Sequence, residues 1–349
     1  MDAAPAAPAG IDTGRVSAWL EANVADVAGP FRFELIAGGH SNLTYKVTGS
    51  AGPPVVLRRP PLGNVLPSAH DMGREHRIIA ALAVTNVPVA PALGYCDDPE
   101  VNGAPFYVMG YVDGLVLRDV GAVQQHLPEP ARRVAGDSIV DTLAAIHAVR
   151  PDEVGLGELG RHDSYIARQL KRWYGQWQAS KTRELAAVDA VHDGLLARIP
   201  EQGPASIVHG DYRLDNCMLH PDGRVAAVLD WEISTLGDPL ADVGLLLVYW
   251  TGPDDDASAW VGPATTAPGF PNRADLLARY AEVSGRDVAG IEFYVAFAYW
   301  KLACILEGVY ARYLAGAMGG HREASEIDTF AWQVERAATQ AAEHLGRLS

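Results

Sequence analysis

The chain has 349 residues, enough for two domains or for one domain with two lobes, and its hydrophobic fraction of 48% excludes a disordered chain. Its 28 Lys and Arg residues against 43 Asp and Glu residues give a net charge of −15. This balance argues against nucleic acid as the main partner, because a phosphate backbone requires a basic patch.

The sequence predicts a cytoplasmic protein that does not enter a membrane. No run of apolar residues approaches the roughly 18 that a transmembrane helix needs, and Met1–Gly10 lacks the basic and apolar regions of a signal peptide. The cysteines Cys96, Cys217 and Cys304 lie far apart, which argues against a disulfide framework or a zinc site and fits a reducing compartment. The oligomeric state stays open.

Residues 1–112 are predicted to form a small lobe, an antiparallel sheet with one central helix, after an N-terminal extension and helix in residues 1–28. The first helix begins near Asp12 and presents Val16, Trp19, Leu20 and Val24 on one face. The predicted strands are Phe31–Ile36, Leu43–Val47, Val55–Arg58, Ala92–Cys96 and Phe106–Met109, and the central helix is Asp71–Ala83.

Residues 113–349 are predicted to form a larger, mainly helical lobe, so the fold class is α+β. Helical spacing of Val134, Ile139, Leu143 and Ile146 predicts the packed face of the helix at 130–149. The other predicted helices are 163–178, 184–198, 273–284, 288–316 and 323–346, and the predicted strands are Ile207–Val208, Cys217–Leu219 and Val225–Leu229.

The segment from Ile207 to Asn216 carries the strongest chemical signal in the sequence. An apolar strand leads into His209-Gly210-Asp211, Asn216 follows five residues after the aspartate, and a second strand ends at Asp230. Phosphoryl transfer requires a carboxylate beside the attacking hydroxyl and metal ions on the phosphates. Asp211 is the candidate base, and Asn216 and Asp230 offer the hard oxygen ligands that Mg²⁺ prefers. The hairpin between the two strands is expected to bring these groups together.

These motifs resemble those of the aminoglycoside phosphotransferase family of small-molecule kinases. The resemblance covers about residues 31–315 and is carried by His209-Gly210-Asp211 and by Leu229-Asp230-Trp231. It is closer still to the kinase-like domain that is fused to some acyl-CoA dehydrogenases. The stretches that resemble this branch are Gly38–Tyr45, Leu57–Pro61, Leu66–His70 and Leu229–Asp242. The resemblance implies a protein-kinase-like fold of two lobes.

The resemblance also implies roles for residues of the smaller lobe. Gly38, Gly39, His40, Ser41 and Asn42 lie where the family's loop covers the nucleotide phosphates. Backbone N–H groups can approach phosphate there, because glycine has no side chain.

Arg58 stands on the third strand, where kinases place a phosphate-contacting lysine, with Arg59 as the alternative. Glu75, on the central helix, is the expected ion-pair partner of the arginine. Met109 and Tyr111 lie in the connector that contacts adenine in this family.

Several further residues are predicted to support the site. His209 is expected to orient the loop around Asp211, and Asp242 to hydrogen-bond the backbone of that loop. Glu232 and Asp215 are interpreted as neighbours of the metal ligands. His147 is interpreted as a packed histidine at a helix end.

The leading hypothesis is a kinase, dependent on ATP or GTP and Mg²⁺, that phosphorylates a hydroxyl group of a small molecule. A hydroxyacyl metabolite or its CoA thioester, which the dehydrogenase-associated branch implies, competes as acceptor with an aminoglycoside antibiotic. A second hypothesis is a non-catalytic nucleotide-binding pseudokinase, although Asp211, Asn216 and Asp230 are all intact. A protein kinase is disfavoured, because the sequence has no D-F-G or A-P-E motif.

Overall fold

A computed structural model describes residues 8–36, 42–63, 70–252, 255, 263–316 and 324–348, with side chains of the last range from 327 onward. Contacts divide the chain into two compact units. Unit 1 comprises the described residues up to Gly114 together with Ala226–Glu232, and unit 2 comprises Leu115–Val225 with the described residues from Ile233 onward. Ala226–Glu232 belong to unit 1, although the predicted boundary between residues 112 and 113 assigns them to the second lobe.

Unit 1 is built on one five-stranded sheet. Its strands lie in the order β1-β2-β3-β5-β4, and every neighbouring pair is antiparallel. The predicted antiparallel sheet is therefore confirmed. The elements in chain order are α1 (Thr13–Asn23), β1 (Arg32–Leu35), β2 (Leu43–Thr48), β3 (Val55–Arg59), α2 (Met72–Leu82), β4 (Ala92–Cys96), α3 (Pro99–Asn102) and β5 (Phe106–Gly110).

Helix α1 packs on the sheet through the predicted face. Val16 and Leu20 are fully buried, and they share a core cluster with Leu57 of β3. The ring of Trp19 meets that of Phe106 edge to face, with 4.9 Å between the centroids.

Helix α2 begins after Asp71, whose side chain accepts a hydrogen bond from the Arg74 N–H. Ile78, Ile79 and Glu75 are all buried in this helix. A single helix face therefore carries both core residues and a buried carboxylate.

Unit 2 is mainly helical, as predicted. Among the described residues no helix is long and apolar enough to cross a membrane. The elements in chain order are α4 (Val120–His126), α5 (Glu129–Ala148), α6 (Tyr165–Ser180), α7 (Ala186–Leu196), β6 (Ser206–Val208), β7 (Cys217–Leu219), β8 (Val225–Val228, of which only Val225 belongs to unit 2), β9 (Thr235–Gly237), α8 (Leu240–Tyr249), α9 (Arg273–Ser284), α10 (Ile291–Leu314) and α11 (Ala324–Gly346).

The packed face of α5 differs from the predicted one at Val134, which is 41% exposed. Ile139, Leu143 and Ile146 are fully buried as predicted. Gly136 lies so near the ring of Pro271 that an added Cβ would stand 2.3 Å from it. A small residue thus permits the close approach of Pro271, and Val134, two positions earlier, lies on the opposite side of the helix.

Strand β6 pairs antiparallel with β9, and Ile207 lies opposite Leu236. Both residues are fully buried. This short ladder anchors the segment that follows β6, which is the segment with the strongest chemical signal in the sequence.

Candidate functional site

In unit 2 the loop that leaves β6 turns sharply at Gly210. The φ angle of Gly210 is +86°, in the left-handed region that side chains disfavour. An added Cβ would also lie 3.1 Å from the side chain of Ile233. The glycine between His209 and Asp211 is therefore a requirement of the backbone path.

Asp242 of α8 holds the backbone of this loop. Its Oδ2 accepts the His209 N–H at 2.6 Å, and its Oδ1 accepts the Gly210 N–H at 2.8 Å. The His209 ring also holds the loop, because its Nδ1 accepts the Asp211 N–H at 3.2 Å. These bonds agree with the loop-positioning roles expected for His209 and Asp242.

A buried network supports Asp242, whose side chain is 1% exposed. His147 Nε2 lies 3.4 Å from Asp242 Oδ2, and His147 Nδ1 lies 2.7 Å from the Tyr280 hydroxyl. Although burial disfavours the charge of Asp242, the hydrogen bond and charge of His147 and the donors of the loop hold its pKa below the ordinary value. The network therefore stabilises a buried carboxylate that faces two backbone N–H groups.

Described residues contact only one oxygen of the Asp211 carboxylate. Its Oδ2 accepts Asn216 Nδ2 at 2.9 Å and lies 3.4 Å from Arg213 Nε. No described residue donates a hydrogen bond to Oδ1. The Asp211 side chain remains 28% exposed, so a hydroxyl group from solvent can reach this oxygen.

Asn216 has both amide hydrogens engaged by Asp211. Nδ2 donates to the Asp211 backbone oxygen at 2.8 Å and to the carboxylate at 2.9 Å. The amide oxygen receives no donor from the part of the chain that the structure describes. An oxygen in this arrangement fits a hard cation such as Mg²⁺.

A second carboxylate flanks Arg213. Arg213 Nε lies 3.3 Å from Asp215 Oδ1, and the guanidinium stacks over the Tyr249 ring at 5.0 Å. Burial raises the pKa of Asp215, the charge of Arg213 lowers it, and the charge of Asp211 adds to the rise. Arg213 thus offsets the mutual repulsion of Asp211 and Asp215.

In unit 1 the carboxylates converge on Arg58. Its Nε lies 3.2 Å from Glu75 Oε2, and its Nη2 lies 2.8 Å from Asp230 Oδ1. Burial disfavours the charged guanidinium, but the facing carboxylates, above all Glu75, outweigh burial and raise the pKa of Arg58. Burial raises the pKa of Glu75 more than the charge of Arg58 lowers it. Arg58 and Glu75 thus form a desolvated ion pair, in which the charge of each acts on the pKa of the other.

Asp230 adopts a left-handed backbone conformation with φ +64°. Aspartate tolerates this region better than most residues, because its short side chain can bond locally. Its Oδ1 is engaged by Arg58, while Oδ2 receives no donor from any residue in the described ranges. The oxygen chemistry at Asp230 therefore also fits a hard cation.

Asn42, the one described residue of the predicted phosphate loop, contacts Glu232. Asn42 Nδ2 donates to Glu232 Oε2 at 3.1 Å, and Arg58 Nη2 lies 3.8 Å from the same oxygen. The predicted loop residues Gly38, Gly39, His40 and Ser41 lie outside the described residues.

Arg59 occupies a different environment from Arg58. Its guanidinium donates to the backbone oxygens of Gly10 and Pro60, and the residue is 6% exposed. These contacts tie the N-terminal segment to β3. Of the two candidate arginines, Arg58 is the one that faces carboxylates.

The two connector residues lie at the end of the sheet in unit 1. Met109 pairs with Val56 in the register of β3 and β5. The ring of Tyr111 is 37% exposed and lies under Lys46, with 4.2 Å from Nζ to the ring centroid. Both positions remain candidates for nucleotide contact.

The structure also places two residues near these groups that the sequence predictions did not assign. Tyr107 is buried, and the charges of Glu75 and Arg58 act on the pKa of its hydroxyl. Lys301 Nζ donates to the Gly210 backbone oxygen at 3.0 Å. The available signal for Lys301 was a lone charge inside an apolar run, because a buried ammonium requires a partner.

Comparisons with known proteins identify the family of the chain. The model of the APH family, described as "Phosphotransferase enzyme family", matches residues 32–283. Acyl-CoA dehydrogenase family member 10 of Mus musculus is 37% identical over 295 residues, which are 82% of this chain and 27% of that protein. The chain thus spans about a quarter of the length of that relative.

Solved structures give the same result for the fold. A proposed aminoglycoside phosphotransferase from Ralstonia eutropha is 34% identical, with a TM-score of 0.80 over 96% of this chain and 98% of that one. Aminoglycoside phosphotransferase APH(4)-Ia, in a ternary complex with AMP-PNP and hygromycin B, is 16% identical, with a TM-score of 0.60 over 93% and 97% of the two chains. By family model, relative and fold, this chain belongs to the APH phosphotransferase enzyme family.

Proposed function

We propose that the chain is a kinase, dependent on ATP or GTP and on Mg²⁺, that phosphorylates a hydroxyl group of a small molecule. Asp211 is the catalytic base, Asn216 and Asp230 supply oxygen ligands to Mg²⁺, and Arg58 contacts the phosphates. The observation that carries this proposal is that described residues engage only one of the two carboxylate oxygens of Asp211. Two neighbours engage its Oδ2, and Oδ1 is left for a substrate hydroxyl.

In the proposed step Asp211 Oδ1 accepts the proton of the acceptor hydroxyl as that oxygen attacks the terminal phosphorus. The new P–O bond forms on the acceptor, and the P–O bond to the leaving nucleoside diphosphate breaks. The electron pair of the broken bond stays on the diphosphate. The base acts by position, because transfer of this kind depends mainly on alignment and on charge stabilisation.

Mg²⁺, when bound, neutralises charge on the phosphate oxygens. The described residues contain no cluster of three or more His, Cys, Asp or Glu side chains arranged to hold a metal ion. The proposed ligand set is compatible with this, because Mg²⁺ commonly takes one or two protein oxygens and completes its shell with phosphates and water.

Residues of unit 1 are proposed to bind the nucleotide. Arg58 is held by the buried Glu75, so its guanidinium keeps a fixed direction and its remaining N–H donors can engage phosphate. Gly38–Asn42 would cover the phosphates, and Met109 and Tyr111 would contact the base. Nucleotides are bound in a fold neighbour, which crystallised with AMP-PNP.

For the acceptor we propose a hydroxyacyl compound or its CoA thioester. The similarity to an acyl-CoA dehydrogenase family member supports this class. The charge near Asp211 supports it as well, because Arg213 Nε lies 3.4 Å from the carboxylate. A polycationic aminoglycoside would have to approach a base that a cation already flanks.

The test is transfer of label from γ-labelled ATP or GTP to a panel of hydroxybutyryl-CoA isomers, kanamycin and hygromycin B. We expect a labelled hydroxyacyl product with the wild-type chain. Asp211→Asn should lower its formation at least about 100-fold, the scale of a lost general base. Asp193→Asn, a change at an exposed carboxylate of α7, is the matched control and should leave the rate unchanged.

The outcomes separate the claims. If turnover persists in the Asp211→Asn variant, Asp211 is not the catalytic base. Rapid phosphorylation of kanamycin or hygromycin B, with none of the hydroxyacyl-CoAs, would replace the proposed acceptor class by the aminoglycosides.

A further inference from the structure

Lys301 is a buried lysine with an uncommon set of partners. It lies in the middle of α10 and is 8% exposed. No described carboxylate lies within 4.0 Å of its ammonium group, and Nζ donates to the Gly210 backbone oxygen at 3.0 Å. A buried charge is costly unless it is compensated, so the contact with Gly210 needs an explanation in function or in folding.

The surroundings of the ammonium group are partly aromatic and partly polar. The Trp173 ring of α6 lies beneath it, with 5.5 Å from Nζ to the ring centroid. A small cavity beside it is lined by Lys301, Gly210, Asp242 and Tyr165 among others. The side chain therefore points toward the loop at residues 209–211 and away from bulk solvent.

The peptide groups before Asp211 are held from two sides by opposite charges. Asp242 accepts the N–H groups of His209 and Gly210. Lys301 donates to the carbonyl oxygen of Gly210. Because that carbonyl carbon is bonded to the nitrogen of Asp211, its orientation fixes the direction in which the Asp211 side chain leaves the backbone.

Charge also links Lys301 to the same loop. Burial lowers the pKa of Lys301, and the negative charges of Asp211 and Asp242 oppose that shift, whereas the charge of Arg172 adds to it. The positive charge of Lys301 is thus compensated in part by the two carboxylates that the loop carries or contacts.

We propose that Lys301 is a positioning residue for Asp211, acting through the Gly210 carbonyl. This inference rests on the proposed function. Loss of the ammonium group frees the Gly210–Asp211 peptide to rotate and misaligns the base. A displacement of about 1 Å in such a group costs on the order of 100-fold in rate. Substrate binding is unaffected, since Lys301 contacts no proposed substrate atom.

The test replaces Lys301 by Met, which keeps the length of the side chain and removes the charge and the donors. With Mg-ATP and the best acceptor of the hydroxyacyl-CoA panel, and in parallel with water as acceptor, kcat should fall about 10- to 100-fold. The KM values for nucleotide and acceptor should stay within about twofold of wild type, since no binding contact is removed. Lys301→Arg should recover most of kcat.

Lys171→Met is the matched control, because Lys171 is exposed on α6, and it should behave as wild type. If Lys301→Met does not fold, Lys301→Arg and Lys301→Gln take its place. Both keep a donor, but Gln lacks the charge, so the Gln variant should be about tenfold slower than the Arg variant. Equal kcat values in that pair would overturn the inference.

Asp211→Asn in the same assay separates the two claims. Loss of turnover with Asp211→Asn but wild-type kcat with Lys301→Met overturns the role of Lys301 alone. A change confined to the KM values does the same. Full turnover with Asp211→Asn overturns the proposed function, and the inference falls with it.

Discussion

Arg58 and Arg59 are neighbours on β3 whose side chains have opposite surroundings. Adjacent residues of a strand point to opposite faces, so Arg58 meets Glu75 and Asp230 whereas Arg59 meets backbone oxygens of Gly10 and Pro60. The sequence predicted that one of these two residues contacts the phosphates. It could not show which one, because the answer depends on which face of the strand meets the carboxylates.

At the same scale, replacing Arg58 by Met should have two separable effects. Glu75, only 2% exposed, loses its cation, and an uncompensated buried charge costs about 3–5 kcal/mol of unfolding free energy. The affinity for Mg-ATP should also fall about 10- to 100-fold, the loss of one or two hydrogen bonds to charged groups. Chemical denaturation and calorimetric titration measure the two effects.

The double variant Arg58→Met with Glu75→Gln is the control for that prediction. It removes the orphaned carboxylate, so most of the lost unfolding free energy should return while nucleotide affinity stays low. Recovery of wild-type affinity in the double variant would mean that Arg58 does not contact the nucleotide.

At the scale of elements, His147 of α5 and Asp242 of α8 join two helices beside the loop at residues 209–211. Burial lowers the pKa of His147 below its ordinary value, although the hydrogen bond and charge of Asp242 oppose that shift. A group whose folded pKa is depressed contributes stability above its unfolded pKa and loses it as the pH falls. The helix pair should therefore weaken in acid.

We expect the unfolding free energy of the chain to decrease as the pH is lowered from about 7 toward 5, the range in which an ordinary histidine titrates. His147→Gln should flatten this decrease, whatever its effect at neutral pH. Denaturant melts at a series of pH values measure the slope. His126→Gln, at an exposed histidine of α4, should keep the wild-type slope; an identical slope in His147→Gln would contradict the argument.

Elements with strong local signals were predictable from the sequence. Helix α2 was predicted at Asp71–Ala83 and observed at Met72–Leu82, because a capping aspartate and regular apolar spacing mark it. Strand β9 was missed, since its three residues gain stability only by pairing with β6 across a long stretch of sequence. Helix α4 was also missed, and its seven residues carry little periodicity.

The candidate site was predictable where residue type and spacing carry the chemistry. Asp211 and Asn216 could be predicted from such spacing, and a hydrogen bond joins the two side chains. Lys301 lies 91 positions from its partner Gly210. Nothing local indicates that a charge in an apolar helix points at a particular carbonyl, so this contact required the three-dimensional structure.

At the scale of the whole molecule, the net charge of −15 does not describe the surroundings of Asp211. Arg213 flanks that carboxylate, and the negative charge of Asp211 acts on the buried Lys301. Total charge governs solubility and long-range steering, whereas selection of an acceptor depends on the groups within a few ångströms. The overall acidity therefore gives no support to a cationic substrate.

The central claim is that the chain moves a phosphoryl group to a small-molecule hydroxyl. Its most direct test is phosphorus NMR of the wild-type chain with Mg-ATP and the hydroxyacyl-CoA panel. The account predicts a new phosphate monoester resonance that grows in step with ADP and is absent with Asp211→Asn. Tight binding of Mg-ATP with no monoester from any alcohol in the panel, aminoglycosides included, would contradict it and favour a nucleotide-binding protein without catalysis.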